Sequence, residues 1–295
     1  MELVIFDLEW NSGYCKKTKS FINEIIELGA VKVNENMEII GQFSIFVRPD
    51  ITKRLNPKVR ELTQLSNEDL VHGATFNYAI SKFRKFSEGC VISSWSTSDL
   101  NALETNCEYY NGSRRIPFLK KYADVQAYCQ DVIGKEKNQL ALQAAAELLE
   151  IDSGDIPLHR AVGDSILTAR ILKKIYEPEK FAGYVSVVDD EFYARLDFHN
   201  TFIYDINNPL INKEDMFILC DVCNTRCEVT QGWKSHNRSF YGELFCPVCE
   251  IKMKGRIQYK LEYDGLTVNK RIIHSAADQT EGQTDDRDDV SETDE

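Results

Sequence analysis

Three β-branched-rich runs follow one another at the start of the chain, and they limit what the rest of the fold can become. Leu3–Leu8 (LVIFDL), Glu24–Val33 (EIIELGAVKV) and Ile39–Val47 (IIGQFSIFV) read as strands, the last closed by Pro49. Successive strands with short links predict a sheet that begins antiparallel or mixed. Beyond them the texture alternates. Asn77–Phe86 puts Ile80 and Phe83 on one helical face, Val91–Trp95 is strand-like, and Ser98 is placed to cap a helix over Asp99–Tyr109. Gln139–Leu149 and Ala161–Tyr176 add helices, the second stopped before Pro178. This pattern predicts an α/β domain over residues 1–178.

The texture changes after Pro178. Residues 179–216 hold three basic and eight acidic residues with no clear period and read as a connector; 217–276 are short strand-like runs around cysteine pairs. The last nineteen residues, 277–295, carry nine acids and one base and read as a disordered tail. That tail supplies most of the net charge of −12, so the acidic balance does not exclude a nucleic-acid partner. No run approaches the ~18 apolar residues of a membrane span. The first ten residues lack a basic region and a cleavage site, so a cytoplasmic location without a membrane partner is expected.

Phe6-Asp7-Leu8-Glu9-Trp10 is the first string with chemistry in it. Two residues apart on a strand, Asp7 and Glu9 share a face, while Phe6 and Leu8 point to the core. Adjacent carboxylates repel unless a cation lies between them, and a hard divalent metal is the natural one. Two solvated acids at a strand end are the plainer alternative. Asp99 follows a predicted strand and opens a helix, where an acid also suits the helix dipole. His159 and Asp164 are five apart, which on one helix separates side chains by about 140°. They converge only if His159 lies on the loop before the helix, and Pro157 supports that loop.

As a set, these strings resemble the DEDDh branch of the DnaQ-like (RNase T-like) 3′→5′ exonucleases. Asp7 and Glu9 match the D-x-E motif, Asp99 the second motif, and His159 with Asp164 the H-x₄-D motif. Phe46-Val47-Arg48-Pro49, Asn56-Pro57 and Glu61–Ser66 (ELTQLS) are further similar to the branch of enhanced-RNAi-type and sporulation-inhibitor-like exonucleases. The first motif departs from many relatives in running Glu9-Trp10-Asn11. The resemblance implies an RNase H-like mixed sheet flanked by helices. It also implies two Mg²⁺ or Mn²⁺ ions held by Asp7, Glu9, Asp99 and Asp164, with His159 as general base. The expected activity is removal of nucleotides from a free 3′ end of single-stranded RNA or DNA, RNA favoured. The alternatives are a DNA-trimming or proofreading exonuclease, or a regulatory factor that binds nucleic acid or protein on the same fold. Lys53, Arg54, Lys58 and Arg60 form the densest basic group of the first domain, suited to phosphates or simply to solvent.

Cys220-x₂-Cys223 and Cys246-x₂-Cys249 are separated by 22 residues. Two such knuckles suit one closed, structural tetrahedral Zn²⁺ in a small zinc ribbon, with Cys227 and His236 as spare donors. Paired buried or redox thiols are the other reading. Trp233, Lys234, His236, Arg238 and Tyr241 lie between the knuckles, a mixture that suits a single strand; ribbons equally serve as protein-docking modules.

Overall fold

The computed structural model describes residues 2–134 and 139–273. The expected acidic tail lies outside the described residues. The chain divides into two units, Met1–Leu196 and Asp197–Glu295.

The first unit opens with β1 (Leu3–Cys15), β2 (Ser20–Val33) and β3 (Ile39–Phe46), then α1 (Pro57–Thr63), α2 (Asn67–Val71) and α3 (Phe76–Phe86). It continues with β4 (Val91–Ser94), α4 (Thr97–Asn111), β5 (Lys121–Asp124), α5 (Val125–Ile133), α6 (Leu142–Leu148) and α7 (Ala161–Ile175). It ends with α8 (Pro178–Ala182), β6 (Val185–Val187) and α9 (Asp190–Leu196). The sheet order is β3-β2-β1-β4-β5-β6. β1, β2 and β3 pair antiparallel, β1-β4 and β4-β5 parallel, and β5-β6 antiparallel, which makes the sheet mixed.

Period-two alternation sends β1 to two cores at once. Leu3 and Ile5 pack with Tyr128 of α5, Ala145 of α6 and Leu167 of α7. Val4, Phe6 and Leu8 pack with Phe83 of α3 and Leu100 of α4 on the other face. Helices therefore cover both faces of the sheet, as in other α/β units. Pro178, where the sequence reading ends the first domain, opens α8. The residues after it bury Phe181 against Tyr128 and add β6 to the sheet, so the stretch read as a connector supplies structure to the first unit as far as Leu196.

The second unit is antiparallel. It contains β7 (Thr201–Ile203), β8 (Glu228–Val229), β9 (Lys234–His236), β10 (Ser239–Cys246), β11 (Ile251–Glu262) and β12 (Gly265–Ile273). The order is β12-β11-β10-β8, with β7 on β11 and β9 on β10. Phe240, Leu244 and Ile257 alternate inward and share a small core with Met216, Ile218 and three buried cysteines. Among the described residues no helix is long and apolar enough to cross a membrane.

Candidate active site and candidate metal centre

The site of the first unit lies where β1 runs past the end of β4. The parallel pairing stops with Ile5 opposite Ser93, which leaves later β1 amides without a strand partner on that side. Asp99 meets one of them: its Oδ1 accepts the Leu8 N–H at 3.1 Å. Asp99 stands in the first turn of α4, whose cap is Ser96 rather than Ser98; the Ser96 hydroxyl accepts the Ser98 amide at 3.3 Å. The strand and the helix start are thus tied together through the acid itself.

α7 reaches the same place through a close backbone approach. Gly29 faces Asp7 across the β1–β2 pair, and a Cβ there would stand 2.1 Å from the Val162 nitrogen and 2.2 Å from the Ala161 carbonyl carbon. Only glycine lets the first turn of α7 sit so close. Ser165 adds a hydroxyl bond to the Gly29 carbonyl at 3.3 Å. Gly163 is equally confined, since a Cβ would meet the Pro157 oxygen at 2.0 Å. Asp164, one turn into α7, consequently joins Asp7 and Glu9, and one oxygen from each of the three lies within 4.8 Å of the others. His159 is on the preceding loop, half-buried, in the left-handed region at φ 58°, a conformation that histidine tolerates better than most residues. Its Nε2 is 3.5 Å from the Gln143 side-chain amide.

The electrostatics of this cluster are unfavourable to its own charge. Burial, then Asp99, Asp164 and Glu9, raise the Asp7 pKa well above the carboxylate range. Glu9 is raised to about 8 by burial and then by Asp164, Glu27 and Asp99, with Arg160 opposing. Burial lifts Asp99 to about 7 despite the Leu8 amide, and burial also raises Asp164 against the pull of His159. These are oxygen donors held near one another at a cost, and a hard divalent cation would relieve that cost.

Of three buried polar residues beside the acids, the sequence reading passed over Glu27 and Glu24 and named Asn11 only as a departure from the first motif. Glu27, opposite Glu9 and fully buried, accepts two bonds from Arg160, at 2.9 Å from Nε and 3.0 Å from Nη2. Arg160 is the residue between His159 and α7, and its guanidinium lies 5.4 Å over the Phe46 ring. Glu24, also fully buried, accepts the amides of Asp50, Ile51 and Thr52 at 2.6, 2.8 and 2.7 Å, and the Tyr110 hydroxyl at 2.8 Å. Asn11 donates to the Arg54 carbonyl and accepts the Asn56 amide. Together Glu24 and Asn11 fasten the loop that carries exposed Lys53 and Arg54 to the hairpin bearing Asp7 and Glu9. The available signal was the pair of acids, Glu24 and Glu27, inside an otherwise apolar strand, since buried charges need partners.

In the second unit, Cys220, Cys223, Cys246 and Cys249 bring their sulfurs within 4.8 Å of one another. Cys220–Cys249 are 4.0 Å apart and Cys223–Cys246 3.4 Å. Both values exceed a disulfide bond and bracket the ~3.8 Å edge of a tetrahedron with 2.3 Å zinc–sulfur bonds. The two knuckles are built alike. The Asn224 amide bonds the Cys220 carbonyl and the Glu250 amide the Cys246 carbonyl, each at 2.8 Å, and Asn224 and Glu250 are both left-handed, at φ 58° and 56°. Hydrogen bonds from Thr225, then from neighbouring cysteines, lower the Cys223 thiol to about 6. Cys227 stands outside the group in the apolar core, where burial and neighbouring thiols raise it to about 11. His236 is exposed on β9 beside Tyr241 and takes no part.

The RNase_T family, described as Exonuclease, matches residues 4–172. A probable 3′-5′ exonuclease, KapD, of Bacillus subtilis (strain 168) is 28% identical over 181 residues, covering 60% of this chain and 85% of that protein. A PolC-type DNA polymerase III of Thermotoga petrophila is 22% identical over 171 residues, which is 12% of its own length. Among solved structures, the nuclease domain of 3′hExo, a DEDDh family member bound to rAMP, has the same fold. It is 24% identical with a TM-score of 0.52, covering 59% of this chain and 90% of that one. A 3′-exonuclease described for 3′-end specific recognition of a histone mRNA stem-loop is 22% identical with a TM-score of 0.53, covering 64% and 91%. The family match takes in all five of Asp7, Glu9, Asp99, His159 and Asp164 and more than half of the sequence, so this chain belongs to the DEDDh exonucleases of the RNase T family.

Proposed function

We propose that this protein removes nucleotides one at a time from the free 3′ end of single-stranded nucleic acid, with RNA as the favoured substrate. The observation that carries the reading is the convergence of Asp7, Glu9 and Asp164 within 4.8 Å, with Asp99 tied to the same strand. Asp7, Glu9, Asp99 and Asp164 are the residues that would hold two Mg²⁺ or Mn²⁺ ions. Such ions supply charge neutralisation at the phosphate and at the departing 3′ oxygen, and ease deprotonation of the attacking water.

The chain's own groups do the rest. His159 takes the proton from the water as its oxygen adds to phosphorus and the P–O3′ bond breaks; a nucleoside 5′-monophosphate is released and the departing O3′ takes a proton from solvent. The new 3′-hydroxyl then leaves the shortened strand ready for the next cycle. Arg160, clamped to Glu27, fixes the loop that presents His159. The preference for RNA is supported by the likeness of residues 46–66 to the enhanced-RNAi-type branch, and by the histone mRNA stem-loop and the ribonucleotide rAMP named for the two structural neighbours.

The second unit is proposed to hold one structural Zn²⁺ on Cys220, Cys223, Cys246 and Cys249, with no open coordination position. The experiment offers purified protein with Mg²⁺ matched RNA and DNA 12-mers, each with a free or a blocked 3′-hydroxyl. Stepwise shortening of free-ended RNA, faster than DNA and stopped by the block, is expected. Equal cutting of blocked strands would overturn the exonuclease reading; DNA cut faster than RNA would favour the DNA-trimming alternative.

A further inference from the structure

The β1–β2 hairpin does not end at the carboxylates. Past Glu9 it continues as a two-stranded arm, Asn11–Cys15 paired with Ser20–Glu24, with the Lys16-Lys17-Thr18-Lys19 turn at its tip. Near that tip Tyr14 is 54% and Phe21 76% exposed, and their rings meet edge-on at 5.6 Å. From Asn11 to Asn23 there is no acidic residue, in a chain whose net charge is −12. An exposed aromatic pair among lysines is what unpaired bases and their phosphates bind.

The arm is held in place along α4. Asp99 accepts the Leu8 amide at the start of that helix. Asn106 accepts the Ile25 amide at 3.2 Å and donates to the Asn23 carbonyl at 2.8 Å. Lys17 lies 5.0 Å over the Tyr109 ring near the helix end. Two rulers give the distance from the acids to the rings. Five strand residues from Glu9 to Tyr14 span about 17 Å, and ten helical residues from Asp99 to Tyr109 span about 15 Å. At ~3.4 Å per stacked nucleotide, the rings stand four to five nucleotides from the acids. By alternation along β1 Tyr14 shares the face of Leu8 and Trp10, opposite Asp7 and Glu9, so a strand touching both the rings and the acids would have to pass over the hairpin edge.

We infer that Tyr14 and Phe21, with Lys16 and Lys19, form a second contact for the single strand, several nucleotides upstream of the 3′ end being removed. The inference rests on the single-strand reading above. It commits to nucleic acid over a protein partner because the arm pairs cations with bare rings, and its one acid, Glu24 at the base, is buried against the 50–52 amides.

The test is binding of a fluorescent oligo(U) 12-mer in EDTA, where no strand is consumed. Tyr14→Leu/Phe21→Leu keeps an apolar cross-strand contact but removes the ring faces, and should weaken binding about tenfold. Lys16→Gln/Lys19→Gln should lower the salt slope by about 0.7 for each lysine. Unchanged affinity and slope in folded variants would overturn the proposal. Ultraviolet crosslinking of wild-type protein to a 5-iodouridine 12-mer covers the case of a misfolded variant. Adducts on the peptide spanning 11–23 are expected, and their absence would overturn it. Crosslinking at the arm in a protein that shortens no strand would instead sink the exonuclease reading and leave the arm standing.

Discussion

In the first unit three acids from β1 and α7 meet, with Asp99 of α4 tied to the same strand, because the sheet and its helices are packed around them; in the second, four cysteines come from two short knuckles joined by one hairpin. The acids bring charges that burial opposes, and the Leu8 amide, His159 and Arg160 offset that only in part. The thiols are cradled by their knuckles, each with an amide bond back to its first cysteine. In one unit the fold assembles the donors. In the other, the eleven buried apolar or cysteine residues among those described make a small core, one that a metal on the four thiols would reinforce. Similar clustering of donor atoms thus has opposite consequences: the acids strain the body that holds them, while the thiols, were they to share a metal, would brace theirs.

The sharpest way to break that contrast is a pair of substitutions. Asp7→Ala should reduce nuclease activity below detection while leaving thermal stability equal or higher, because a strained acid is gone. Cys246→Ser should do the reverse to the second unit, releasing zinc and erasing its strand signals in NMR spectra. Full activity in Asp7→Ala would end the metal-site assignment, and a folded, zinc-loaded Cys246→Ser protein would end the four-thiolate one. Next in size is His159→Ala, for which turnover should fall by about 10²–10⁴ with Mn²⁺ affinity nearly unchanged. Loss of Mn²⁺ binding in a titration would make His159 a ligand.

The smallest effect concerns acidity. Asp7, Glu9, Asp99 and Asp164 all keep their protons to higher pH folded than unfolded. Their stabilising contribution is whole below the ordinary carboxylate values near 4. It is lost as pH rises through about 7 for Asp99 and about 8 for Glu9. The metal-free protein should therefore lose a few degrees of Tm between pH 5.5 and 8.5. Mg²⁺ should flatten the trend, and Asp7→Ala should lessen it. A flat metal-free profile would mean that the acids are not strained.

Much of this was legible because some chemistry is local in sequence. Asp7 and Glu9 declare their shared face by alternation, the five-residue step from His159 to Asp164 demands a loop, and the cysteine knuckles are contiguous. What was illegible depends on partners far away. The outer hairpin lacks apolar alternation from Asn11 to Ser20, so its strands depend on pairing with each other and on polar ties to distant residues such as Arg54 and Asn106. Lys121–Asp124 is too short to register as a strand, and Val185–Val187 becomes one only by finding β5. Glu27 and Arg160 are 133 residues apart, and nothing in either neighbourhood announces the other.

Gly29 has one more consequence. Because the start of α7 rests on bare backbone there, the position of Asp164 is set by what lies beneath it and owes little to the length of chain leading up to it. The loop residues between α6 and Pro157 are therefore free to vary over evolutionary time without moving the acid, whereas α6 itself is tied into the core through Ala145 and Ala146. Gly29 itself has no such freedom, since a single methyl group there would lift the helix and take the acid with it.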